Sequence, residues 1–285
     1  MGLFDFFKRD SEIVLLGEDG QPLDRKMVKL RRTVADKRAQ TYDRNEAMDQ
    51  LVAIGNPNAV AALLRRFDLQ VDPSITDQEE KQRAFDCIVR IGHGDVGIRL
   101  ADAGKPAKEV DDTPLNADEK AQLGAAVVKL TETYCERAES LSWPLKVLRD
   151  LLDDEAFQAS LLTLLSKFDT EYSRNVEPKI NLLTTLENYQ NETVREQVEP
   201  YLDDVNETVR FHAVQTVFRQ KNEASLTLFL EMAEREESVR VKNKIAGGLV
   251  ERKWTVPAAV HDRWSDTLRD TKYVLKSGAS TLSPR

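Results

Sequence analysis

The stretch Arg44-x-x-Ala47-Met48-x-x-Leu51-x-x-Ile54-Gly55 decides how this chain is read, because it recurs 37 residues later as Lys81-x-x-Ala84-Phe85-x-x-Ile88-x-x-Ile91-Gly92. In each copy the apolar positions fall three and four residues apart, on one face of a helix, and a glycine follows where the helix should close. The chain then re-enters an apolar segment at Ala59-Val60 and at Val96. A period in this range marks stacked helical hairpins, each unit burying its stripe against the units before and after it.

A second version of the pattern occupies the C-terminal half. Glu192-Thr-Val194-Arg195, Glu207-Thr-Val209-Arg210 and Glu237-Ser-Val239-Arg240 share one signature, spaced by 15 and then 30 residues. Fifteen residues is one helix with its turn, and thirty is a pair. Arg210-x-x-Ala213-Val214-x-x-Val217 repeats the spacing seen at Arg44 and Lys81. Between the two halves, Val127, Leu130 and Tyr134 give one apolar face. Leu148, Leu151 and Leu152 follow Pro144 on another, and Ile180, Leu183 and Leu186 follow Pro178 on a third. A proline at the start of a helix costs no hydrogen bond, so both prolines suit helix openings.

These motifs resemble HEAT repeats, whose second helix commonly begins with an acid, then Val-Arg and an alanine three residues on, as in Glu207 to Ala213. The resemblance covers roughly residues 40–104 and 175–254 and extends to bacterial HEAT-repeat proteins of uncharacterised activity. It implies an all-α, right-handed, armadillo-like α-solenoid of antiparallel helix pairs. It also implies that Arg195, Arg210 and Arg240 form a structural ladder between neighbouring units, with Asp203 or Asp204 as partners. Arg240 is followed by Asn243 where the family has alanine, so that unit is degenerate.

The expected organisation has five parts. Residues 1–22 form an N-terminal arm whose Leu3, Phe4, Phe6 and Phe7 either cap the first repeat or dock on a membrane or partner. Residues 23–104 carry the first repeats and begin with a helix over 23–44, with Met27, Leu30 and Val34 on its apolar face. Residues 105–118 read as an acidic, proline-containing loop. Residues 119–276 carry the remaining helices, and 277–285 read as a disordered tail.

Composition narrows the function. The 285 residues carry 41 basic and 49 acidic side chains, a formal charge of −8 that disfavours general binding to nucleic acid. The basic residues concentrate between Leu23 and Arg44, where eight of them face three acids. That segment is either a solvated outer face or an anion-binding patch for an acidic partner, RNA or phospholipid head groups, with Arg31, Arg32, Lys37 and Arg38 as the contact residues. Two cysteines, Cys87 and Cys135, make no disulfide framework and fit a reducing, cytoplasmic compartment. No stretch is long and apolar enough to span a membrane.

Motifs of catalysis are sparse. Gly92-His93-Gly94-Asp95-Val96-Gly97 fits G-x-G-x-x-G, but it stands at the end of a helical repeat rather than after a strand, so an interhelical turn is the better reading. His93, His212 and His261 show no ligand spacing. Some HEAT enzymes hold a di-iron centre through His-Glu dipeptides; here the histidines precede Gly94, Ala213 and Asp262, and no cofactor or metal is expected. Trp143, Trp254 and Trp264 invite comparison with HEAT-like alkylpurine DNA glycosylases yet carry no matching local motif, and core or cap packing accounts for them. Gly247-Gly248 inside a helical run points to close helix approach or a kink. The resulting expectation is a non-catalytic scaffold or adaptor receiving a protein or peptide. The alternatives are a HEAT-like DNA glycosylase and a chromophore lyase.

Overall fold

The computed structural model describes residues 17, 20–95, 115–276 and 278–285. The chain is predominantly helical and divides into two compact units: residues 1–138 with 142–153, and residues 139–141 with 154–285. The aromatic cluster of the arm and residues 105–114 of the expected loop lie outside the described residues.

In the N-terminal unit, α1 (Arg25–Val34) starts where the Asp24 side chain accepts the Met27 amide at 2.7 Å, and it buries Met27, Leu30 and Val34. The unit continues through α2 (Thr41–Ile54), α3 (Pro57–Leu64), a 3-10 turn (Arg65–Asp68), α4 (Ser74–Gly92), α5 (Ala117–Cys135) and α6 (Ser142–Leu151). The helices alternate between two layers: α1, α3 and α5 touch in succession, as do α2, α4 and α6. Their facing stripes make one core, in which Val34, Met48, Leu51, Leu63, Ile88 and Ile91 are fully enclosed. Gly55 closes α2 in the left-handed conformation, φ 62°. Gly92 does not play that part: it is the last helical residue of α4, and a Cβ there would lie 2.7 Å from Leu151. Its role is close approach of α6, and Gly94, at φ 71°, carries the turn.

The helix expected over 23–44 is two helices, broken at residues 35–40. Arg44 explains the break. Its guanidinium donates to the carbonyls of Asp36 and Ala39, satisfying acceptors in the broken segment, while Nε and Nη2 hold Glu80 of α4 at 2.7 and 2.8 Å.

In the C-terminal unit, α7 (Asp154–Leu165) and α8 (Glu177–Leu186) precede α9 (Glu192–Val198), which runs into a 3-10 turn (Glu199–Asp203). Then come α10 (Glu207–Arg219), α11 (Leu226–Arg235), α12 (Val239–Arg252) and a short α13 (His261–Thr267). Here α8, α10 and α12 form one layer, each touching the next. Asn191, Asn206 and Ser238 cap α9, α10 and α12 by accepting amides of the first turn.

The tail departs from expectation. Strand β2 (Leu282–Pro284) pairs antiparallel with β1 (Tyr273–Leu275), so the chain is not purely α and its end is ordered. Leu275 and Leu282 are both buried opposite one another. The terminal Arg285 guanidinium donates to the carbonyls of Leu268, Arg269 and Tyr273, which composition alone does not reveal.

Candidate functional site

In the N-terminal unit, a cleft of about 290 Å³ opens where α1, the 3-10 turn and the end of α5 meet. Arg31 enters from the last turn of α1, Arg65 from the start of the 3-10 turn, and Arg137 from just beyond α5. None of these guanidiniums makes a hydrogen bond or ion pair to another described residue. The cleft also contains Asp68 and Tyr134, whose hydroxyl donates to Asp68 Oδ1 at 2.5 Å. Burial pushes the Tyr134 phenol well above its ordinary pKa, and the Asp68 carboxylate adds to the effect, so Tyr134 stays protonated. Phe67 holds the ring edge-on at 6.5 Å and itself stacks on Trp143 at 5.9 Å. The lining groups, three arginines and one aspartate, sum to a charge of +2.

Among the contact residues expected from sequence, the cleft gathers only Arg31. Arg32 is exposed on α1, and Lys37 and Arg38 are exposed in the broken segment after it. Arg65 and Arg137 are additions. Each sits in a run of charge with no periodic signal, and only folding brings positions 31, 65 and 137 together.

The three arginines of the resemblance take different surroundings. Arg195 pairs within its own helix and following turn, with Glu192 and Glu199. Arg210 reaches across to Glu236 at 2.7 Å and donates to the Asp204 carbonyl. Arg240 is half exposed, lies 3.4 Å from Glu207 and covers the Phe211 ring at 3.9 Å. Neither aspartate partners these arginines through its side chain: Asp203 meets Arg235, and Asp204 is paired with the buried Lys179 at 2.7 Å.

A wider cleft of about 760 Å³ lies beside His93, whose Nε2 is 2.8 Å from Asp150 Oδ1, with Lys120 and Leu151 in its walls. Trp264 is fully enclosed, Trp254 packs on Phe218 and Phe229, and Trp143 lies against Phe67, so each tryptophan packs against neighbouring side chains. Cys87 and Cys135 are buried free thiols, both pushed up to about 12 by burial, which leaves them inert. Among the described residues no three metal-binding side chains cluster, and no helix is long and apolar enough to cross a membrane.

No protein-family model matches the chain, and no curated protein does. Among solved structures, it is similar to human deoxyhypusine hydroxylase in complex with glycerol, at 15% identity over 86% of this chain and 90% of that one, with a TM-score of 0.32. That protein is an enzyme, unlike the non-catalytic scaffold or adaptor expected from the sequence. At that TM-score the likeness transfers no activity, cofactor or residue role to this chain.

Proposed function

We propose that the N-terminal unit binds a soluble, phosphate-bearing ligand in the cleft formed by Arg31, Arg65 and Arg137. The observation that carries this reading is three guanidiniums, delivered by separate elements and free of carboxylate partners, around one cavity. An arginine fork matches the oxygens of a phosphoryl group, and such charge-assisted bonds are about twice as strong as neutral ones. A phosphate dianion balances the lining charge of +2, whereas a single carboxylate leaves half of it unmatched. Tyr134, held protonated by burial and by its bond to Asp68, adds a fixed aromatic edge that narrows the ligand's approach. We further infer that the two-layer helix pairs within each unit are HEAT-like solenoid repeats, a reading supported by the alternation of touching helices. The buried free thiols suit a reducing compartment such as the cytoplasm.

The test is calorimetric titration of the full chain with pyrophosphate. Arg65→Glu with Arg137→Glu removes two of the three donors from exposed positions, so the fold is retained. The expected result is loss of this site, with the remaining wild-type affinity falling as ionic strength rises. Unaltered affinity and unaltered number of bound ligands in the charge-reversed protein would overturn the reading.

A further inference from the structure

The glycine pair Gly247-Gly248 has a consequence outside the N-terminal cleft. A Cβ at Gly248 would lie 2.4 Å from the Phe218 ring, so this glycine lets α10 and α12 pack closely. A Cβ at Gly247 would lie 2.9 Å from the Tyr273 hydroxyl, so this one leaves room for the phenol of β1 to lie against the helix. Around them opens a cleft of about 280 Å³ in the C-terminal unit. Its walls carry Arg219, Lys244, Arg252, Glu251 and Tyr273.

The partners of these groups decide what the cleft can take. Arg252 is engaged: it donates to the carbonyls of Phe218 and Gly248, covers the Phe218 ring, and lies 3.4 Å from Glu251. The Asn243 amide is also used on both sides, donating to the Val239 carbonyl and accepting the Lys272 amide. Among the described residues Arg219 makes no hydrogen bond or ion pair, and the Tyr273 hydroxyl makes no hydrogen bond. Lys244 lies 5.3 Å from the Phe211 ring and pairs with no carboxylate among the described residues. Two unpaired cations and a phenol donor therefore face one cavity, while the acid beside them is turned to Arg252.

We propose that this cleft is a second, independent site for a phosphoryl group of a soluble ligand, held by Arg219 and Lys244 with the Tyr273 hydroxyl, seated against Gly247, donating to it. The charge left over, +2, matches a phosphate dianion. The site stands on its own residues and does not depend on the N-terminal cleft.

Pyrophosphate titrated into the full-length protein tests it through stoichiometry. The expected wild-type value is two per chain, falling to one in Arg219→Glu/Lys244→Glu and to one in Arg65→Glu/Arg137→Glu. Tyr273→Phe is expected to weaken the C-terminal site at least fivefold in the Arg65→Glu/Arg137→Glu background. Circular dichroism checks that helicity is unchanged, and the milder Arg219→Gln/Lys244→Gln protein, expected to bind at least tenfold more weakly at this site, covers any misfolding of the reversed one. A single site that survives Arg65→Glu/Arg137→Glu and vanishes in Arg219→Glu/Lys244→Glu would sustain this proposal and sink the N-terminal one. A single site with the opposite response would overturn this proposal alone. Capture by phosphatidic acid vesicles without binding of free pyrophosphate would also overturn it, since the phosphoryl group would then belong to a lipid surface.

Discussion

The two units bury charge in different ways. In the N-terminal unit five side chains share one network: Glu80 accepts from Arg44 and Arg66, and Asp77 accepts from Arg66 and Lys81. In the C-terminal unit two buried pairs are held one to one, Lys179 with Asp204 and Arg210 with Glu236. A shared network leaves Glu80, Asp77 and Arg66 each a second charged partner when one is removed. An isolated pair does not, and an unpaired charge in a low-dielectric interior is expensive. The difference teaches that similar helix packing can be pinned by redundant or by single contacts, and that the two respond differently to mutation.

Breaking the isolated pair should have the largest effect. Lys179→Met leaves Asp204, 1% exposed, without a cation, and should cost about 3–5 kcal/mol. Lys81→Met is the matched change in the network. There Asp77 keeps Arg66 at 2.9 Å and the Val71 amide at 3.1 Å, so the expected cost is about 1–2 kcal/mol. Urea denaturation of both variants checks the order, and equal midpoints would show that redundancy contributes nothing.

Acid sharpens the same contrast. Burial alone would raise the pKa of both Asp77 and Glu80, but hydrogen bonds from Lys81, Arg66 and the Val71 amide to the first, and from Arg44 and Arg66 to the second, hold both below the ordinary carboxylate range. Glu236 is lowered in the C-terminal unit, where its bonds to Arg210 and Ser238 likewise outweigh burial. A carboxylate with a depressed folded pKa stabilises the protein above its unfolded value, and that contribution is lost as pH falls through the folded one. Stability should therefore decline below about pH 4. Glu80→Gln, unable to titrate, should flatten part of that decline in urea midpoints taken between about pH 5 and 3. An unchanged slope would remove Glu80 from the acid response.

Much of the helical frame is legible in the chain. Arg44, Arg195 and Arg210 each stand four residues beyond their N-caps, Gln40, Asn191 and Asn206, and their side chains are 3%, 11% and 20% exposed. The break after α1 and the hairpin at the C-terminus are harder to read. Both depend on one arginine, Arg44 or Arg285, collecting carbonyls brought near by folding. The two clefts are the least legible part. Arg31, Arg65 and Arg137 belong to no common motif, and Tyr273 meets Gly247 only because β1 lies along α12.

Arg240 sets the smallest expected effect and the sharpest check on the capping frame. By motif it equals Arg195 and Arg210, yet the position matching Asn191 and Asn206 holds Glu236, which serves Arg210 instead. The cap of α12 is Ser238, two residues later, so Arg240 is the second helical residue rather than the fourth. Two residues turn a side chain by about 200° around a helix, which carries Arg240 to the surface at 50% exposure. An exposed pair with Glu207 and a contact over Phe211 together stabilise by no more than about 1 kcal/mol. Arg240→Ala should stay within that bound, whereas Arg210→Ala, stripping the buried Glu236 of its cation, should cost roughly 3 kcal/mol. Equal losses in urea denaturation would mean that the sequence motif, and not the cap, decides which arginine turns inward.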